Sequence, residues 1–271
     1  MRGYINIIKA EMYKQFKHTF HNGLVIFSML LWPILSFTTA YYQFKPFRFD
    51  GILVTLEYLD EGALITFIMI GYFAMIFFRS LVESAWRFSF ERTSGTLELI
   101  FMSPANRMVL IFANAMSSLI SNVWMFAIFM VGIFGFTNTV VIANPPMLVL
   151  GLGLMVIMAV LWGMLLNAMF IFTRDSSFLF TILEEPMELF GGVKIPVQLF
   201  PLWAKAIAGV FPLTYAIKLL RQIVFLGSTF SDVKGLIYTS IIICITMFLG
   251  TSVILKLGEK TNRQTGNMAL F

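Results

Sequence analysis

Histidine, cysteine and charge are all scarce in this chain. Its only histidines, His18 and His21, precede the first long apolar run, so no His/Cys/Asp cluster can meet the glutamates farther along. Metal-dependent or His-based intramembrane chemistry is therefore set aside. The single cysteine, Cys244, rules out an internal disulfide and reads as a small apolar residue within an apolar run. Charged residues are 12% of the chain, against about 25% in a soluble domain. With 59% hydrophobic residues, the chain cannot cover a water-facing surface. No phosphate loop of the form G-x-x-x-x-G-K-S/T occurs. The nearest fragment, LGEKT at 257–261, lacks the preceding glycine and any room for a flanking strand. This excludes ATP hydrolysis by the chain alone. There is no linker rich in Pro, Gly or Ser, and no internal repeat such as many secondary transporters carry. The N-terminal stretch is also expected to stay as an anchor rather than be cleaved. Arg2, Lys9, Lys14 and Lys17 precede an apolar segment too long, and too poor in small residues, to be removed.

What is present is apolar length. A helix needs about 20 mostly apolar residues to cross the hydrocarbon. Six stretches qualify: 23–42, 62–82, 108–136, 147–172, 177–194 and 235–256. The expected fold is an all-α integral membrane protein with six transmembrane helices. Six crossings put both termini on one side. Twelve of the 19 Lys and Arg fall in the segments assigned to that side, Arg79 among them, and seven in the others. The bias places the termini in the cytoplasm. The net charge of +5 then reads as loops facing anionic lipid rather than nucleic acid. Residues 1–22 carry Ile5, Ile8, Met12 and Phe16 at helical spacing, with the lysines mostly off that face. They are expected to form an interfacial helix.

One polar stretch interrupts the apolar pattern: ERTSGTLELIFMSPANR, residues 91–107. Leu97, Ile100 and Phe101 share a helical face. Gly95 can serve as a permissive N-cap, Glu98 suits the first turn, and Pro104 stops the helix at Ser103. So short a helix must dock on something. The candidates are the protein's own inner surface, lipid headgroups, or a groove on another protein.

This loop resembles the signature of the ABC-2 family of ATP-binding-cassette permeases, in Glu91, Arg92, Gly95, Thr96, Leu97, Glu98, Ser103 and Pro104. A second stretch, LFGGVKIPVQLFPLWAKAIAGVFPLTYAIKLLR, is similar to the family's outer segment through Gly191, Gly192, Pro196, Pro201, Trp203, Pro212 and Arg221. The resemblance covers nearly all of 1–271, as a single transmembrane domain. It implies a bacterial plasma-membrane exporter of an amphipathic drug, antibiotic or peptide. Polysaccharide or lipid-linked glycan export is the alternative. It further implies that 91–106 is a coupling helix docking in a separate ATPase subunit, present in two copies, which binds ATP and Mg. This chain would carry no cofactor and would pair with an identical or different second permease half. The first outer loop, 43–61, is too short for the extracellular domain some relatives carry.

Within the membrane, Asn114, Ser118 and Asn122 form a polar stripe beside Ala113, Ser117 and Ser121. Such a stripe suits helix packing, and equally a dimer seam or substrate path. Asn167 is its expected partner, and Ala159 with Gly163 form a small-xxx-small pair. Glu184, Glu185 and Glu188 flank Pro186 at a depth where acids are costly. They either pair with Arg221 or Lys194, line a path for a cationic or amphipathic substrate, or sit in a wet vestibule. Pro196, Pro201 and Pro212 break 195–233 too often for a crossing. That segment is expected to fold as two helices, about 201–210 and 213–225, re-entrant or interfacial on the outer face. Trp203, Phe200 and Phe211 could equally form an aromatic belt.

Overall fold

A computed structural model describes residues 2–20, 23–44, 61–96, 106–119, 144–172 and 176–265. The described residues are helical apart from turns and short connections. The helices are α1 (Arg2–Phe20), α2 (Gly23–Phe44), α3 (Glu61–Thr93), α4 (Arg107–Leu119), α5 (Pro145–Phe172), α6 (Ser176–Phe190), α7 (Leu202–Ala208), α8 (Pro212–Leu226) and α9 (Phe230–Thr265). A 3₁₀ turn, Val197–Leu199, precedes α7.

Helix α3 is the axis of the bundle. Its 33 residues run about 50 Å at 1.5 Å per residue. Its apolar window, Thr66–Trp86, is 83% buried, against 44% for that of α5 and 22% for that of α9. Helices α2, α5, α6 and α8 pack on α3, and α9 packs on α5 and α8. Phe78, Leu81, Leu166, Met187, Leu213 and Ile217 interlock in the core, each at most 1% exposed. The outer side of α9 carries Ile241, Ile242, Ile245, Phe248, Leu249 and Val253, all exposed, on the face a bilayer would solvate.

Three described helices are long and apolar enough to cross a membrane: Thr66–Trp86, Pro145–Phe170 and Phe230–Gly258. The pair α7 and α8, bent by 95° at its break, counts as a fourth if taken as one broken span. The expected six crossings are thus not all found. Helix α2, with 22 residues, covers the range of the first expected span, 23–42, but is not one of those three crossings. The third, 108–136, is described only as far as Leu119. The fifth, expected over 177–194, is corrected: α6 has 15 residues, about 22 Å, which falls short of a hydrocarbon core of about 30 Å. It ends where Gly191 N donates to Met187 O and Gly192 turns the chain with φ 81°. The two helices expected within 195–233 appear close to their expected bounds as α7 and α8.

Local sequence sets these ends. Asn106 Oδ1 accepts from the backbone of Met108 at 2.9 Å and Val109 at 3.4 Å, starting α4. Asp232 Oδ2 accepts from Thr229 N at 2.8 Å in a capping box that starts α9. Pro212 occupies the first turn of α8, and Gly227, left-handed, closes it.

Candidate functional site

The polar turn after α3 is built by two neighbours of Glu91. Gly95 has φ 69° two residues past Thr93, the last residue of α3, and closes that helix in the left-handed conformation. It also directly precedes Thr96, which is helical, so it stands where an N-cap for the following turn was expected, left-handed where an N-cap is typically extended. Thr96 is helical and donates its hydroxyl to both the backbone and the carboxylate of Glu91. Lys14 of α1 reaches the same carboxylate at 2.5 Å and Glu11 at 3.7 Å. Burial works against the charged form of Glu91, yet the bonds from Lys14 and Thr96 outweigh it and hold the carboxyl below its ordinary value. Burial raises the Glu11 carboxyl, with Lys14 opposing and Glu91 adding to the rise. Arg92 lies in the last turn of α3; Leu97, Glu98, Ser103 and Pro104 lie outside the described residues.

Helix α1 therefore has two faces with separate tasks. Ile5, Met12 and Phe16 are exposed, with Tyr4 and Tyr13 beside them, while Glu11 is buried. The apolar face points away from the protein, as an interfacial helix requires, and the polar face grips the Glu91 turn. Lys14 carried no mark in the sequence beyond lying off that apolar face.

Midway along α3 a half-buried arginine meets a buried glutamate. Arg79 Nε is 3.0 Å from Glu184 on α6 and 3.4 Å from Glu83 one turn on. Arg79 lies within the apolar span, as the expected bounds 62–82 imply, 16 residues or about 24 Å from Gly95, so it is corrected as one of the cations counted on the cytoplasmic side. Of the expected pairings, Lys194 with Glu188 is found, at 2.8 Å, while Glu184 takes Arg79 and Glu185 is exposed. The polar stripe of α4 faces α5: Asn114 Nδ2 donates to Asn167 Oδ1 at 2.8 Å, and Asn167 Nδ2 donates to Gly163 O at 2.8 Å. Ser117 and Ser118 donate back to Asn114 O and Ala115 O. Asn122 lies outside the described residues.

At the end opposite Gly95, Arg221 of α8 is 5% exposed. Its Nη1 donates to Gly192 O at 2.7 Å, and its Nη2 to Val193 O at 2.8 Å and Phe67 O at 3.1 Å. The guanidinium carbon lies 3.3 Å from the Phe67 ring centre. One arginine thus ties together α3, α8 and the turn after α6. Gly71 makes this approach feasible: a Cβ there would lie 2.3 Å from Val193 O. Beside this lock, Phe190 meets Trp203 and Phe200 edge-on. Phe211 is buried and packs edge-on against Trp162, so it is not a headgroup aromatic. Trp203, 63% exposed, remains suited to that position.

The arrangement has no reaction centre among the described residues. No group of three His, Cys, Asp or Glu there could hold a metal. What it offers is a turn held by a clasp at one end, an arginine between two acids within the apolar span and a carbonyl-bound arginine at the other end. The family model described as ABC-2 type transporter matches residues 4–225. No curated protein matches the chain.

Proposed function

The chain belongs to the ABC-2 type transporter family, and from that premise we propose that it is one permease half of an exporter of amphipathic drugs, antibiotics or peptides. It is a multi-pass membrane permease subunit without ATPase activity of its own, and such permeases pair with ATPase subunits. In this reading two ATPase copies bind ATP and Mg. A second permease half completes the path, and both termini face the cytoplasm of a bacterial cell.

The observation that carries the reading is the clasp around Glu91. A helix that ends in a left-handed glycine and restarts at Thr96 presents a short protruding turn. Lys14 and Thr96 fix that turn to α1 and to the α3 axis. Pushing on the turn therefore loads α3, which carries the force about 40 Å to the Arg221 lock. Residues 91–106 act as the coupling segment, with Glu91, Arg92, Gly95, Thr96, Leu97, Glu98, Ser103 and Pro104 as its docking and shaping residues. In this reading the substrate path runs beside Glu184, Glu185 and Glu188 of α6 and beside Asn114 and Ser118 of α4, with Asn122 farther along the sequence.

A crosslink tests this. Ser94 is exposed at the turn, so Ser94→Cys in a Cys244→Ser background should crosslink to the co-expressed ATPase subunit and not to lipid alone. Glu91→Ala should weaken that crosslink several-fold while the protein still inserts. An ATPase that binds the permease with no crosslink from position 94 removes the docking role.

A further inference from the structure

A cavity of about 260 Å³ opens beside Arg221, walled by α8, the turn after α6 and the starts of α3 and α9. None of the twelve residues lining it is acidic, while Lys218 and Arg221 both face it. The surrounding chain has the same bias. From Leu189 to Ser231 there is no Asp or Glu, yet there are Lys194, Lys205, Lys218 and Arg221. Thr214, Ile217, Lys218, Arg221 and Gln222 follow a spacing of three and four, so one face of α8 supplies both cations and both a hydroxyl and an amide.

The two cations differ in freedom. Arg221 spends its terminal nitrogens on three backbone carbonyls, which fixes it in place. It contributes charge in a low-dielectric wall rather than an open fork. Lys218 is half-buried on a flexible stem, with its ammonium 5.9 Å from the centre of the Tyr215 ring. It can swing toward an occupant. Gln198 and Gln222 add amide donors at the rim and wall. Pockets that enclose a drug-sized molecule run about 300–1,000 Å³. This cavity is smaller and fits a headgroup-sized ion. It lies near Phe67, 28 residues or about 42 Å along α3 from Gly95, which is roughly the full depth of a bilayer with its interfaces.

We propose that this cavity binds a phosphate-bearing anion, contacted by Lys218 and held in the field of Arg221. The phosphate comes either from a phospholipid headgroup in the adjacent leaflet or from a free phosphate. The anion offsets the positive charge of a wall that has no acid of its own, and it bridges α8 to the turn after α6.

The test uses the purified full chain, delipidated in a neutral detergent. Thermal unfolding is followed as phosphatidylglycerol, phosphatidylcholine or inorganic phosphate is added. Wild type should show saturable stabilisation by phosphatidylglycerol or inorganic phosphate, weakened at high salt. Stabilisation by phosphatidylglycerol alone identifies the source as lipid; an equal response to inorganic phosphate identifies a free anion. Lys218→Gln should weaken the apparent affinity at least ten-fold. Gln198→Trp, which fills the cavity and leaves both charges, should do the same. Lys205→Gln, exposed and outside the lining, should leave it unchanged. The proposal is overturned if Lys218→Gln binds as wild type, if Lys205→Gln weakens binding equally, or if neither phosphatidylglycerol nor inorganic phosphate gives a saturable response.

Discussion

Replacing Gly71 with alanine adds one methyl group at the tightest helix contact near Arg221. Its carbon would sit 2.3 Å from Val193 O and 2.8 Å from Arg221 Nη2, where real side-chain carbons essentially never come below 3.0 Å. The obstacle is backbone, so rotating a side chain cannot relieve it. Either α3 moves off α8 or the Val193 carbonyl swings away. Overpacking of this kind costs about 1–3 kcal/mol. Losing the 2.8 Å bond from Arg221 to Val193 adds about 1.5–3 kcal/mol, because the donor is charged. Arg221 keeps Gly192 O and Phe67 O, which argues for the lower half of the sum, about 3–4 kcal/mol. The control is Gly153→Ala on α5, where an added Cβ meets nothing within 4 Å. Alanine in an exposed helix interior should stabilise by about 0.5–1 kcal/mol there. Both variants are measured by thermal unfolding in one detergent, using tryptophan fluorescence. A Gly71→Ala protein within about 1 kcal/mol of wild type would refute the close packing of α3 against the Arg221 lock.

Gly95→Ala should cost about 1–2 kcal/mol from the left-handed backbone alone, and it should lower ATPase coupling; equal stability would show that the turn has another conformation. Lys14→Met and Glu91→Gln should be non-additive in a double-mutant cycle above the ordinary carboxylate range. Because the folded Glu91 carboxyl titrates below its ordinary value, its contribution is present above that value and lost as pH falls through the folded one. A coupling energy that grows on acidification would contradict the clasp. Arg79→Met should cost about 3 kcal/mol, since it strips the cation from Glu184, whose side chain is 7% exposed. Glu184→Gln keeps an oxygen for Arg79 Nε and should cost less, about 1 kcal/mol; the reverse order in thermal stability would sink this reading of the pair.

The apolar runs made the long helices legible, because length and hydropathy suffice for an element that buries its own backbone bonds. The proline pattern likewise set α7 and α8 to within a few residues. Asn114 and Asn167 were legible as partners, since amides in adjacent spans have few other ways to be satisfied. The failures share a cause: tertiary contacts decide them. Arg79 counts in the sequence with the cytoplasmic cations although it falls within the expected span, and only Glu184, arriving from another helix, shows what holds it there. Arg221 looks like a partner for acids, yet backbone carbonyls capture it, and only a glycine at 71 reveals how close they come. Gly95 reads in the sequence only as the start of the next helical turn; that it also closes α3, with φ 69°, depends on α3 continuing to Thr93. Helix α6 was drawn too long because Val193 and its neighbours are apolar enough for a span, while the Gly191–Gly192 turn ends the helix first.

The most direct test of the account is transport itself. Inverted membrane vesicles carrying this chain and its ATPase subunit are loaded from outside with a fluorescent amphipathic cation. The account predicts accumulation that requires ATP hydrolysis, vanishes with a non-hydrolysable analogue and falls several-fold in Glu91→Ala. Accumulation driven by an ion gradient without ATP, or ATP-dependent accumulation unchanged by Glu91→Ala, would contradict a permease worked through the turn at Gly95.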